Sequence, residues 1–235
     1  MHEIVRLLVD RIVNADASCE YVVTAIRAAS NHGYETIVRM LLDRDADVNT
    51  FREAYGTALR TASVKGHENV VRMLLDGGAD VNALCGYYKT PLYAASGSGH
   101  RAIVRSLLDP GADVSAPSGY HNNTALYAAA ERNHGTIVRL LLDHGADVNH
   151  LRIPSWKPLH AALWRGSSEI VSLLLEYGAD MDTSSHEYPN ALAAAEACID
   201  KQKRAVFKQI LLDEKRKWQA ELYLVWVDEI TYLNS

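Results

Sequence analysis

Apolar positions along this chain return in one figure. A β-branched pair is followed four residues later by a leucine-rich pair in ETIVRMLLD, ENVVRMLLD, RAIVRSLLD, GTIVRLLLD and SEIVSLLLE, which begin at residues 35, 68, 101, 135 and 168. Pairs one turn apart share a face, so each stretch predicts a short amphipathic helix. Ahead of each lies an alanine-rich phrase: TAIRAA from 24, TALRTA from 57, TPLYAA from 90, TALYAA from 124 and KPLHAA from 157, with NALAAA from 190 closing the series. Small side chains there predict a second kind of helix that can approach its neighbours closely. A Gly-His link joins the two kinds at Gly66-His67 and Gly99-His100, where glycine supplies the turn. Beyond each apolar helix comes GADVN or a near copy, with glycines at 78, 111, 145 and 178 where a left-handed cap favours that residue. The central aspartates fall at 47, 80, 113, 147 and 180, in steps of 33, 33, 34 and 33, and the alanine-rich phrases keep the same spacing. Three interleaved phrases on one period mark a tandem repeat.

These phrases resemble the ankyrin repeat, whose TPLH-x-A signature reads here as Thr90-Pro91-Leu92-Tyr93-Ala94-Ala95 and most closely as Lys157-Pro158-Leu159-His160-Ala161-Ala162. The resemblance implies an all-α ankyrin-repeat solenoid: stacked helix-turn-helix pairs, β-hairpin tips projecting to one side, and protein–protein recognition as the usual role. On that frame the array occupies residues 1–213, with an N-terminal half-repeat at 1–18, units at about 20–52, 53–85, 86–119, 120–152 and 153–185, and an irregular last unit at 186–213. A half-repeat at the start suits a piece of a longer chain as well as a complete one. About four residues are inserted around CIDKQKR, and Trp218, Leu222, Val225, Trp226, Ile230 and Leu233 follow at helical spacing. Terminal units need a polar outer face or a cover, so residues 214–235 are expected to form a C-terminal capping helix.

Composition narrows the classes further. Hydrophobic residues make up 48% and charged residues 23%, and the formal net charge of −5 leaves no concentrated basic surface for nucleic acid. No apolar run approaches the roughly 20 residues of a membrane span, and the first residues lack the pattern of a signal peptide. Three cysteines, Cys19, Cys85 and Cys198, form no CxxC pair, which predicts free thiols and a reducing cytoplasmic or nuclear setting. A monomer is expected.

The candidate chemistry is sparse. His67, His100 and His134 recur one unit apart, about 10 Å at helix-packing distance, whereas zinc holds its ligands within about 2.3 Å. No metal site and no cofactor are therefore expected. Arg39, Arg72, Arg105 and Arg139 each precede an aspartate by four residues, as Arg6 does Asp10, which predicts a self-neutralised outer face. Aromatic residues cluster in the tips, at Tyr21, Tyr55, Tyr87, Tyr88, Tyr120 and Tyr188, with Trp156 beside them. Such rings either pack between tips or present a binding surface.

The slot held by His in the ankyrin signature reads Arg27, Arg60, Tyr93, Tyr127, His160 and Ala193; the resemblance implies a local hydrogen bond there, which His160 alone could keep. Four residues onward, on the same face, the series is Asn31, Val64, Gly97, Glu131, Trp164 and Ala197. Gly97 and Gly99 each weaken their helix by up to about 1 kcal/mol relative to alanine. Either the glycines are merely tolerated and the rings pack between repeats, or they open a dent walled by Arg60, Val64, Tyr93, Tyr127 and Glu131, overhung by Tyr88 and His121, and shared with Trp164.

Two functions follow. The first is a scaffold binding an unidentified protein through Tyr55, Arg60, Tyr88, Tyr93, His121, Tyr127, Trp156 and Trp164. The second is a pocket for a small aromatic or hydrophobic ligand, or a cofactor-free enzyme with acid/base or cyclisation-type chemistry. Its candidate catalytic groups are Tyr93, Tyr127, Glu131 and His160, with Arg60 stabilising an anion. No nucleophile, base and orienting group stand at a spacing that forces contact, so the chain is not expected to be an enzyme.

Overall fold

Thr57, Thr90 and Thr124 start their helices by accepting a hydrogen bond from the backbone N–H three residues on, at Arg60, Tyr93 and Tyr127. Proline at the first helical position reinforces the start at Pro91 and Pro158. This computed structural model describes residues 20–49, 56–84, 89–118, 123–150, 157–182, 188–198 and 200–233, with side chains described from 24 to 220. The half-repeat at 1–18, and Tyr55, Tyr87, Tyr88, Tyr120, His121 and Trp156 of the tips, lie outside the described residues, as does the side chain of Tyr21.

Twelve helices run along the described chain: α1 (Glu20–His32), α2 (Glu35–Leu42), α3 (Ala58–Lys65), α4 (Glu68–Asp76), α5 (Pro91–Ser98), α6 (Arg101–Leu108), α7 (Ala125–Glu131), α8 (Gly135–Asp143), α9 (Pro158–Arg165), α10 (Ser168–Glu176), α11 (Ala191–Glu196) and α12 (Lys201–Leu233). Odd-numbered helices stack in one row and even-numbered helices in another. The fold is the all-α repeat solenoid. Across one tip, an antiparallel bridge joins Ser118 to Asn123.

The alanine-rich row packs more closely than the leucine-rich row. Ala58, Ala62, Ala95, Ala129 and Ala162 are buried at the contacts of the first helices, where a missing side chain allows close approach. Bulky Val71, Val104, Val138, Leu74, Leu107, Leu141 and Leu174 hold the second row further apart. That difference curves the stack toward the first helices. Burying each of these aliphatic side chains contributes roughly 1.5–3 kcal/mol, so the core, continuous from Ile26 to Leu211, supplies most of the driving force.

Two polar devices hold the units in register. The Nε2 of His67 bonds the carbonyl of Asn31, and that of His100 bonds the carbonyl of Val64, both at 3.1 Å. Each ring lies against a left-handed glycine of the preceding unit: a Cβ on Gly33, Gly66 or Gly99 would stand within 2.6–2.7 Å of His67, His100 or His134. The second device is the asparagine of GADVN. Asn49, Asn82 and Asn149 each donate to the glycine carbonyl of the next unit and accept from its aspartate N–H. Ser115 interrupts this ladder, in the unit whose tip carries the extra residue.

The outer face differs from expectation. None of the described Arg–Asp pairs at four-residue spacing closes as an ion pair; Arg72 instead donates to Asn69, and Asp143 accepts from the Tyr177 hydroxyl. An exposed arginine placed before its aspartate is the weaker orientation, and side-chain entropy outweighs it. The C-terminal end also differs: α12 runs unbroken from Lys201 to Leu233, with no boundary near 213. Its first half closes the stack, burying Phe207 and Leu211 against the last unit with Ile210 and Trp218 beside them.

Replacing Asn82 by alanine removes both cross-unit bonds at one rung. We expect a loss of about 1 kcal/mol in urea unfolding, and an unchanged midpoint would mean that the ladder carries no stability.

Candidate functional site

Among the described residues, two hollows open on the first-helix side. The first holds about 250 Å³ and is lined by Arg60, Val64, Lys89, Tyr93, Ala94, Gly97, Ser98, Ala128, Glu131 and Arg132. It lies at the C-terminal ends of α3, α5 and α7, where the register places Val64, Gly97 and Glu131 side by side. The second holds about 200 Å³ and is lined by Leu163, Trp164, Arg165, Gly166, Ala194, Ala197, Cys198, Asp200 and Lys203. Between them stands an ion pair: Arg165 donates to Glu131 Oε1 at 3.0 Å. At the partly exposed surface such a bridge is worth about 0–1 kcal/mol, so it divides the two hollows more than it stabilises the fold.

The expected dent therefore has a different membership. Arg60, Val64, Tyr93, Gly97 and Glu131 do meet. Tyr127 is half-buried against the core, within electrostatic reach of Tyr93 and Glu131 but not among the lining residues. Trp164, 58% exposed, lines the second hollow, so among the described residues it and Tyr93 line separate hollows. Lys89, whose ammonium lies 5.4 Å from the centre of the Tyr93 ring, and Arg132 went unpredicted. A signal for the arginines was present, since Arg132 and Arg165 follow Glu131 and Trp164 at the repeat spacing.

The electrostatics of the first hollow favour binding over proton transfer. Burial, and then the Glu131 carboxylate, raise the pKa of Tyr93, while Arg132 works against the rise. The same two influences, with Tyr93 itself adding, push Tyr127 up to about 12. Both phenols stay protonated at neutral pH, far from the poise of a general base. Arg60 contributes a buried Nε–H with no acceptor among the described residues, an omission that costs roughly 1–3 kcal/mol.

His160 stands apart from both hollows. It is 1% exposed, and neither ring nitrogen has a hydrogen-bond partner, contrary to the local bond that the ankyrin signature implies. Burial, with the Lys157 ammonium second, pushes its pKa down to about 4. Lys157 occupies the capping slot that threonine fills in three other units, is 2% exposed, and makes no side-chain cap. Its ammonium reaches Asp180 at 3.8 Å. Burial lowers the pKa of Lys157, against the opposing pull of Asp180 and Asp147. A histidine sealed in neutral form contributes to the fold and cannot meet a substrate in either hollow. Tyr188, the tip aromatic whose side chain is described, packs partly buried against the core.

The glycines at 97 and 99 play opposite parts. Gly99 ends α5 in the left-handed region at φ 83°, and His134 covers it. Gly97 is helical, and a Cβ there would meet only Ala128 Cβ, at an ordinary 3.5 Å. Gly99→Ala should therefore destabilise by about 1–2 kcal/mol, whereas Gly97→Ala should stabilise by about 0.4–1 kcal/mol. Thermal melts check both, and a destabilised Gly97→Ala would show a packing role for that glycine.

The sign of the His160 effect follows from its lowered value. Unfolded chains take up a proton near pH 6.5 that folded chains refuse until about 4. This share of stability is complete above the unfolded value and is lost as pH falls toward the folded one, up to about 3 kcal/mol. Urea titrations of wild type and His160→Leu should diverge in pH dependence across that window. Parallel curves would mean that the imidazole is not sealed.

Comparison with known families agrees with this architecture. A family model described as ankyrin repeats (3 copies) matches residues 50–118 and 115–185, and one described as ankyrin repeat matches residues 23–51. No curated protein matches the chain. Among the described residues no helix is long and apolar enough to cross a membrane. Ankyrin repeats generally mediate protein–protein interaction. With the period, the caps, the cross-unit rungs and these matches in agreement over most of its length, the chain belongs to the ankyrin-repeat family.

Proposed function

We propose that this protein is a binding scaffold whose partner, another protein, docks along the first-helix face and inserts side chains into the two hollows. The observation that carries this reading is the pair of half-open cavities on one face, with exposed Trp164 at the second. Volumes of about 200 and 250 Å³ fall below the roughly 300–1,000 Å³ of small-molecule sites and suit single anchoring side chains. Tyrosine, tryptophan and arginine, the residue types that dominate interface energetics, supply Tyr93, Trp164, Arg60, Arg132 and Arg165.

The small-molecule or enzymatic alternative has less support. Its proposed acid/base groups divide among a hollow lined by one protonated phenol, Tyr93, a second protonated phenol, Tyr127, outside the lining, and a sealed histidine. Glu131 is engaged by Arg165. The tip residues Tyr55, Tyr88, His121 and Trp156 remain part of the proposed binding surface by their place in the repeat.

Display of random peptides against the immobilised chain tests the reading. Selected peptides should bind Trp164→Ala more weakly by about 2 kcal/mol, while its thermal midpoint stays within error of the parent. Peptides indifferent to every first-helix substitution would contradict the scaffold reading.

A further inference from the structure

Gly97 is a residue that helix physics disfavours and that packing does not require. Its φ lies outside the left-handed region, and the space beside it would admit a methyl with no contact closer than Ala128 Cβ at 3.5 Å. Alanine, the best helix former, fits and is absent. What a methyl would change is the space of the first hollow, which Gly97 and Ala128 both line.

The walls of that hollow carry a charge imbalance. Among the described residues, Arg60 and Arg132 line it against the single carboxylate of Glu131, with the Lys89 ammonium 5.4 Å from the centre of the Tyr93 ring. Glu131 already accepts from Arg165, a cation of the neighbouring unit, so its charge is matched from outside. The chain as a whole is acidic, at −5, which makes a local excess of cations a feature of this place and not of the composition. Arg60 also brings the buried Nε–H that finds no acceptor among the described residues. A guanidinium with one buried N–H left without an acceptor, lining a hollow, is the kind of group that pairs with a carboxylate.

We propose that the hollow at the ends of α3, α5 and α7 is a socket for an aspartate or glutamate side chain of a protein partner, with Arg60 as its principal ligand and Gly97 providing its depth. This rests on the scaffold reading and specifies its chemistry. The cavity of about 250 Å³ accommodates one such side chain. The Tyr93 ring, with Lys89 over it, forms an amphipathic wall along which the methylene stem of that side chain can lie.

The test uses fluorescein-labelled peptides selected by display on the full chain. Selected sequences should contain an aspartate or glutamate whose replacement by alanine weakens binding, and affinity should fall as salt screens the pair. Arg60→Gln and Gly97→Ala should each lower affinity roughly tenfold or more, the latter while raising the thermal midpoint. Arg139→Gln, on the opposite row of helices, should bind as wild type. Peptides that need no acidic residue, or that bind Arg60→Gln and Gly97→Ala as tightly as the parent, overturn the socket. If such peptides still depend on Trp164, the scaffold reading stands and the socket alone falls. If no first-helix substitution matters, both fall.

Discussion

A histidine ring resting on a glycine that has no Cβ sets how far apart successive units stand. His67 lies on Gly33, His100 on Gly66 and His134 on Gly99, and two of these rings also bond a carbonyl of the unit before. A methyl at any of these glycines would collide with the ring, and the backbone there takes a left-handed turn that glycine adopts most readily. The device lapses at two units: Asn133 takes the left-handed position at φ 62°, with Ser167, a cap for Ile170, in place of the histidine above it, and Gly166 keeps the left-handed turn but is covered by Lys203. Register fixed in this way brings alanine against alanine in the first row. The close approach of that row then curves the stack.

Most of each unit is consumed by these tasks. Threonines cap, alanines and leucines fill the core, asparagines tie one turn to the next, and glycines either turn the chain or seat a ring. The C-terminal ends of the first helices are exempt. There the side chains face solvent, and successive units place Val64, Gly97, Glu131 and Trp164 in equivalent positions with no common character. Variety at a fixed position on a rigid frame is what allows such a surface to be selective. The Glu131–Arg165 bridge partitions it into a cation-rich hollow and one edged by an exposed indole.

The repeat was legible because backbone geometry dictates its letters. Left-handed turns and helix starts need particular residues at fixed offsets, so Thr57 to Gly66, Thr90 to Gly99 and Lys157 to Gly166 each span nine residues. That same count could have separated Gly99, a cap, from Gly97, a gap in a column. The dent at Gly97 was legible because it lies in regular units. Trp164 was misplaced because its hollow is completed by Cys198, Asp200 and Lys203, at the insertion where the period fails. His160 kept the letter of the signature but not its bond. Its neighbour Lys157 replaced the capping threonine, and a pairwise change of that sort leaves no mark on the period. The continuity of α12 was hidden because an apolar pattern at helical spacing does not say where one helix ends and the next begins.

The central claim is that packing occupies the other surfaces of the array and leaves the first-helix ends to a partner. Hydrogen exchange of the whole chain, with and without a bound display-selected peptide, measures this directly. Added protection should concentrate in the last turns of α3, α5, α7 and α9, with α4, α6 and α8 unchanged. Protection confined to the second-helix row would contradict the account.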